Sequence, residues 1–262
     1  MNDPFGGSLL SQAYISSKKP KPRRSMVYGP PGIGKSTIGA NMPSPFFIQT
    51  EDGAEHLDVT TLGVAGSYDA VLQQVYALIN EEHNFSSLVL DSIDWLERLL
   101  FSHVAKMAGM KSIADIPYGA GYSTAEEKCE EFLKLLMRAN EERSMMIMII
   151  AHAKIERFND PHHEPYDRYS PDLHKKIGPM VVEWCSDVLF ANYKTYTSEQ
   201  DVGFNKKRVR AINSNERVLF TTGAPTHVAK NRVNGMPEQI PLSWDAYVSY
   251  LYPQATTNQE SK

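Results

Sequence analysis

Cysteine is scarce in this chain of 262 residues: Cys129 and Cys185 are the only two, and they stand far apart without metal-ligand spacing. No disulfide framework can be built from them. Long hydrophobic runs are missing as well. The apolar stretch Met145-Met146-Ile147-Met148-Ile149-Ile150 is too short to cross a bilayer, and no apolar N-terminal segment reads as a signal peptide. The expectation is a reduced, cytosolic protein with no membrane partner. Neither sign of charge is in large excess, since 27 Lys and Arg against 31 Asp and Glu leave a formal net charge of −4. That balance excludes a uniformly basic nucleic-acid coat but leaves room for local basic segments lining a groove. No internal repeat is present.

What is there begins with Gly29-Pro30-Pro31-Gly32-Ile33-Gly34-Lys35-Ser36-Thr37, which fills every fixed position of the phosphate-loop pattern G-x-x-x-x-G-K-[ST]. The apolar run Met26-Val27-Tyr28 can be the buried strand that precedes such a loop, and Ser36 to Ala40 can open the helix that follows it. Gly29, Gly32 and Gly34 let the backbone curl with its N–H groups inward, where phosphates sit. Lys35 is expected to bridge the outer phosphates and Ser36 to complete a Mg²⁺ shell. The chain has no N-K-x-D segment to read guanine, so ATP with Mg²⁺ is the expected ligand.

Strand-like and helix-like segments alternate, which predicts an α/β fold with a mostly parallel sheet flanked by helices. Strands are expected at Phe46–Thr50, Ser87–Leu90 and Met145–Ile150, and a helix at Tyr68–Ile79. Ser123-Thr124-Ala125-Glu126 reads as a capping box opening a helix to about Arg143. Pro161–Pro171 reads as a polar loop, and Leu173–Cys185 as helical after Pro179. Val188–Tyr193, Lys207–Ile212 and Arg217–Thr222 suggest a late antiparallel extension, and Trp244–Leu251 a final helix. Residues 1–24 read as a flexible basic arm, 25–252 as the main domain and 253–262 as a disordered tail.

Other polar groups at strand ends separate the classes that share a phosphate loop. Asp91 ends the strand Leu88-Val89-Leu90 at the carboxyl edge where ligands collect, and suits Mg²⁺ binding through water. Ser92 follows it, whereas many motor ATPases place their water-activating Glu there. The base must come from elsewhere, and Glu51 at the end of the Phe46–Thr50 strand is the candidate, with Asp52 as competitor and a solvated turn as the bland alternative. His152 ends the Met145–Ile150 strand and can sense the γ-phosphate, or simply be a satisfied core histidine. His162, His163 and His174 lack the tight spacing of a zinc cage. In Ala229-Lys230-Asn231-Arg232-Val233-Asn234-Gly235, two cations one residue apart point the same way on an extended segment, so Lys230 and Arg232 could reach a neighbouring subunit's phosphate. A solvated basic turn is the alternative there.

In order, these segments resemble the RecA-type ATPase core: G-P-P-G-I-G-K-S-T, F-I-Q-T-E-D-G, S-L-V-L-D-S-I-D, I-I-A-H and A-K-N-R-V-N-G, across Ser25 to Gly235. The resemblance implies that Glu51 is the catalytic carboxylate and Asp91 the Mg²⁺ carboxylate. The K-N-R stretch is similar to that of RadA-type ring ATPases, where the cations act on a neighbour's nucleotide. Tyr118-Gly119-Ala120-Gly121-Tyr122 is similar to the Y-G-x-G-Y element of small phage annealing ATPases of the Sak type. Two departures stand out: His152 replaces the Gln that ends the RecA sensor strand, and the RecA C-terminal domain is missing.

The resemblance implies a DNA-dependent ATPase that assembles with itself as a filament or ring, coats single-stranded DNA and promotes annealing or recombination. It also implies a phage or prophage origin, and a single-strand-binding protein as a candidate partner. It assigns 106–122 and 154–176 to DNA, with Lys111, Lys154, Arg157, Arg168, Lys175 and Lys176 for phosphates, and Tyr118, Tyr122, Phe158, Tyr166 and Tyr169 for base stacking. The competing readings are a small-molecule kinase, a ring-forming helicase-like or AAA+ motor, and a non-hydrolysing ATP-gated scaffold.

Overall fold

The computed structural model describes residues 21–53, 55–161, 164–201 and 207–252, with the backbone alone described over 195–201 and 207–214. The first half alternates β1 (Arg24–Gly29), α1 (Lys35–Ala40), β2 (Pro45–Gln49), β3 (Thr60–Val64), α2 (Tyr68–Asn80), β4 (Ser87–Asp91), α3 (Ile93–Met107) and α4 (Ala120–Glu142). The second half runs β5 (Met146–Phe158), β6 (Tyr166–Pro171), α5 (Ile177–Trp184), β7 (Asp187–Asp201), β8 (Lys207–Phe220), β9 (Gln239–Pro241) and α6 (Trp244–Leu251). One sheet joins the strands in the order β3-β2-β4-β5-β1-β7-β8-β9, with β6 paired to β5 outside that path. From β3 to β7 neighbours are parallel, and β8 and β9 add the expected antiparallel extension.

Period-2 alternation sorts the strand residues onto two cores. Met26, Tyr28, Phe46, Ile48, Leu88, Leu90, Ile147 and Ile149 face a core completed by α2, α3, α4 and α5. Val27, Phe47, Val89, Met148, Ile150 and Leu189 face the opposite core, completed by Ile38 of α1 and by Trp244 and Tyr247 of α6. Because both faces are covered, the central strands are apolar at successive positions through 26–28, 46–48, 88–90 and 145–151, which is why they read as continuous hydrophobic runs. The buried carboxylate of Asp187 ties the C-terminal helix to the sheet. It accepts hydrogen bonds from the Tyr247 hydroxyl at 2.7 Å and the Arg232 backbone N–H at 3.1 Å. The Tyr247 hydroxyl is in turn hydrogen-bonded to Ser25 at 2.7 Å, so a buried polar group at each step finds a partner.

Several elements differ from expectation for identifiable reasons. β5 continues past Ile150 to Phe158 and pairs antiparallel with β6, so the polar loop expected over Pro161–Pro171 is partly strand. Only the base of the arm, at Ala153 and Tyr169, packs on the core, so the polar residues beyond it carry no sustained apolar alternation. The two late strands expected at Lys207–Ile212 and Arg217–Thr222 are one strand, β8, whose pairing with β7 passes the polar stretch Asn213-Ser214-Asn215 with a register shift near Lys194. α4 starts at Ala120, not Ser123, because Tyr118 (φ 57°) and Gly119 (φ 69°) make the entry turn. The Ser123 hydroxyl instead accepts a hydrogen bond from Lys176 Nζ at 2.9 Å. α5 starts two residues before Pro179, which sits in the first turn where a missing N–H costs nothing. The edge strands β3 and β9 and the helix α3 were not anticipated.

Residues 21–24, the end of the expected basic arm, pack on the domain: Arg24 lies over the Trp184 ring at 4.7 Å, and Lys21 pairs with Glu141 at 3.2 Å. Residues 1–20, the tail 253–262, His162 and His163 lie outside the described residues. Both cysteines are free and buried. Among the described residues no helix is long and apolar enough to cross a membrane.

Candidate active site

Strand register brings the candidate residues to one edge of the sheet. β1 pairs with β5 so that Gly29 faces His152, while β2 pairs with β4 so that Gln49 faces Asp91. Glu51 follows two residues after Gln49. β5 therefore lies between the phosphate-loop strand and the Asp91 strand and inserts His152 there. Gly29 must be glycine, since a Cβ on it would lie 2.3 Å from the Ala191 carbonyl oxygen. The loop beyond it turns through Gly32 (φ 72°) and Gly34 (φ 112°), left-handed positions that favour glycine.

A cavity of about 270 Å³ is lined by Pro31, Gly32, Gly34, Lys35, Ser36 and Thr37 of the loop, and by Glu51, Asp91 and His152 across from them. Gly29 and Pro30 contribute their carbonyl oxygens, which accept hydrogen bonds from Lys35 Nζ at 3.1 and 3.0 Å. Ile33 is buried beneath the loop in the α1 core. Burial lowers the Lys35 pKa, and Asp91, Asp94 and Glu51 counter the shift. Burial raises the Asp91 carboxyl above its usual range, opposed by a hydrogen bond with Ser36 and the charge of Lys35.

Glu51 is held in place from β4. Thr50 Oγ1 accepts from the Ser92 N–H at 2.9 Å and donates to the Ser92 carbonyl at 2.6 Å, and Ser92 Oγ donates to Glu51 Oε1 at 2.5 Å. Burial raises the Glu51 pKa, while the Ser92 hydrogen bond and the His152 charge oppose that rise. A carboxylate lifted toward working pH and held by a single hydroxyl is suited to take a proton from water. Its competitor Asp52 is in an exposed turn.

Asp94, in the first turn of α3, accepts from the His152 N–H at 3.0 Å and is bonded to His152 Nδ1 at 2.9 Å. The Asp94 hydrogen bond raises the His152 pKa against burial. Burial alone would raise Asp94, yet the hydrogen bonds from His152 leave its pKa below the usual value. His152 Nδ1 also lies 3.8 Å from Glu51. One turn further along α3, Glu97 accepts the His174 N–H at 2.8 Å, so one helix holds both ends of the β5–β6 arm. Among the described residues Glu51, Asp94 and His152 are the one group of three close enough to share an ion, and the polar loop offers none.

Lys230 and Arg232 stand elsewhere. Lys230 pairs through its backbone with Val188, and its Nζ donates to the Glu183 carbonyl at 3.1 Å. Arg232, its side chain exposed, lines a separate cavity of about 380 Å³ with Lys21, Arg23 and Arg24. That cavity lies at the start of β1, the opposite end from Gly29. Of the groups assigned to DNA, several have partners inside the fold. Tyr122 stacks on His174 with centroids 4.6 Å apart, Tyr169 stacks on Phe190 at 5.0 Å, and Lys176 bonds Ser123 and Glu126. Lys154 donates to the Leu173 carbonyl, and Arg168 pairs with Glu156 while covering the Phe158 ring at 3.9 Å. Arg157 pairs with Asp167 at 3.4 Å, Tyr118 is fully exposed, and Lys111 and Lys175 present exposed cations.

Sequence reasoning missed Ser92 and Thr50 as supports of Glu51, and Asp94 as the partner of His152. Only the hydroxyl after Asp91 and the Asp three residues on were visible signals, and neither type specifies its partner. Arg217 also lines the cavity and was missed because it is far away in the chain.

A phosphate cradle with a buried Lys35 fits a triphosphate, and the Ser36–Asp91 contact fits the Mg²⁺ that usually accompanies it. Bound there, ATP supplies a phosphoryl group for transfer to water. Fold and site together define a P-loop ATPase domain. A family model described as an AAA domain matches residues 21–233, and the chain belongs to that family. No curated protein matches. Among solved structures, the crystal structure of the RadB recombinase aligns at 15% identity with a TM-score of 0.46, covering 86% of this chain and 90% of that one.

Lys35→Ala should abolish nucleotide binding, whereas Glu51→Gln should bind normally and turn over on the order of 10²-fold more slowly, the scale of a lost general base. Fluorescent-nucleotide titration and phosphate release separate the two effects. Normal hydrolysis by Glu51→Gln, with loss in Asp52→Asn or Asp94→Asn, would assign the base elsewhere.

Proposed function

We propose that this chain is an oligomeric ATPase of the RecA type that binds single-stranded DNA and promotes annealing or homologous recombination, as the small phage proteins it resembles do. The observation that carries this reading is the continuity of β5. The same strand presents His152 to the nucleotide cavity and then runs out as the β5–β6 arm, which carries the exposed Arg157 paired with Asp167, Arg168 lying over the Phe158 ring, and Tyr166 against that ring. A change in contact at His152 is thereby linked, through Asp94 and α3, to the base of that arm. Tyr118 adds an exposed ring from a second segment. The position of Glu51 at the end of β2 favours this reading over motors whose base directly follows the Mg²⁺ carboxylate. A ring-forming motor is the second reading, favoured by the AAA domain family, and it predicts processive unwinding.

Fluorescence anisotropy with labelled oligonucleotides tests the DNA claim. Binding with ATP and Mg²⁺ should be indifferent to sequence and weaken with salt, and Tyr118→Ala with Tyr166→Ala should cost about 1–3 kcal/mol per lost stacked base. Absence of binding at low salt would put the small-molecule kinase reading ahead.

Lys230 and Arg232 are proposed to act on the nucleotide of an adjacent subunit. What supports this is that Arg232 lines a cavity at the opposite end of β1 from the phosphate loop of its own subunit, so that it does not serve that subunit's nucleotide. Arg232→Ala should then bind ATP but hydrolyse it roughly 10³-fold or more slowly. Mixing it with Lys35→Ala subunits should recover activity that neither has alone. Co-assembly in a pull-down without recovery would return the pair to an ordinary basic turn.

A further inference from the structure

We propose that Arg217 is a second cation of the nucleotide site, gripping the diphosphate part of ATP from the side of the phosphate loop opposite Glu51 and Asp91. The proposal rests on the ATP-binding reading of the loop and not on the DNA reading. In the sheet, β2, β4 and β5 lie on one side of β1, while β7 and β8 lie on the other. Glu51, Asp91, Asp94 and His152 all come from the first side, and Lys35 and Ser36 from the loop after β1 itself. Arg217 comes from the second.

The strand pattern explains how it gets there. Leu219 of β8 is fully buried in the core beneath α1, and side chains two residues apart on a strand share a face. Arg217 therefore continues that face past the rim of the core toward the loop. Its cross-strand partner Tyr193 packs on the same core, and the Leu242 N–H donates to the Arg217 carbonyl at 3.1 Å, fixing the backbone from behind. The guanidinium reaches the loop itself: a Cβ built on Gly34 would lie 3.5 Å from Arg217 Nη1. Arg217 lines the nucleotide cavity beside Gly34, Lys35, Ser36 and Thr37.

Among the described residues its guanidinium has no ion-pair or hydrogen-bond partner, although Glu216 beside it pairs with Lys194 at 3.5 Å. A planar fork of N–H donors facing a phosphate cradle matches phosphate oxygens, often in bidentate fashion. The two sides divide the ligand between them. The γ-phosphate must face Glu51, Asp91 and His152, so a cation across the loop meets the α- and β-phosphates, which ATP and ADP share.

Nucleotide binding by Arg217→Ala and Arg217→Lys, measured with fluorescent ADP and ATP on the full chain without DNA, tests the assignment. Arg217→Ala should weaken ADP and ATP alike by about ten- to hundredfold, the range of a lost charged hydrogen bond, and Arg217→Lys should recover part of it. At saturating ATP the turnover should change far less than KM, as for an interaction made equally before and during the reaction. ADP affinity equal to that of the unmodified chain would overturn the proposal, and so would weakening confined to ATP, which would move Arg217 to the γ-phosphate. If Lys35→Ala still bound nucleotide, the phosphate-loop reading would fall and this proposal with it. A failure to bind DNA would sink the recombinase reading and leave Arg217 where it is.

Discussion

The registered ends of four parallel strands are the constraint on which the site depends. Gly29 faces His152 across one ladder and Gln49 faces Asp91 across another, so β1, β5, β4 and β2 deliver their next residues at one level. A slip of one residue in any ladder would turn that strand's apolar set away from its core. Core packing on both faces thus sets the position of the chemistry. The hydrophobic effect, which has no direction of its own, is converted by the ladder into the placement of a lysine, two carboxylates and a histidine.

Burial then shapes what these groups can do. Lys35, Asp91 and Asp94 are all nearly inaccessible, and removing charges from water is costly unless each finds a partner. Here the partners are neighbouring side chains of the site and the carbonyls of Gly29 and Pro30. Asp94 meets His152, Ser36 meets Asp91, and Lys35 sits among three carboxylates whose charge opposes its desolvation. Glu51 and Asp91 each have a neutral hydroxyl as hydrogen-bond partner, from Ser92 and Ser36, and burial raises the pKa of both.

Much of this was legible in the chain because the signals are local. The phosphate loop announces itself through glycine spacing, and buried parallel strands announce themselves as apolar runs. Glu51, Asp91 and His152 could be picked out because each follows such a run, and the cavity contains all three. The rest depends on contacts between distant segments. The arm beyond His152 has no apolar face to give it periodicity. Ser92, read only as the absence of a glutamate, is a supporting group because Thr50 clamps it from another strand. Arg217 enters through an antiparallel extension whose register with β7 no short motif encodes. Ser123 looked like a helix cap, but the left-handed turn at Tyr118 and Gly119 starts the helix a turn earlier.

The central claim is that Glu51, tuned by Ser92, is the base of the ATPase reaction. The pH profile of single-turnover ATP hydrolysis tests it most directly, comparing the unmodified chain with Ser92→Ala. The Ser92 hydrogen bond favours the ionised form of Glu51, so removing it should raise the carboxyl pKa further. Since the base must be deprotonated to act, the acid limb of the profile should move to higher pH, and the limb itself should vanish in Glu51→Gln. An acid limb at the same pH in Ser92→Ala, or one that persists in Glu51→Gln, would contradict the account.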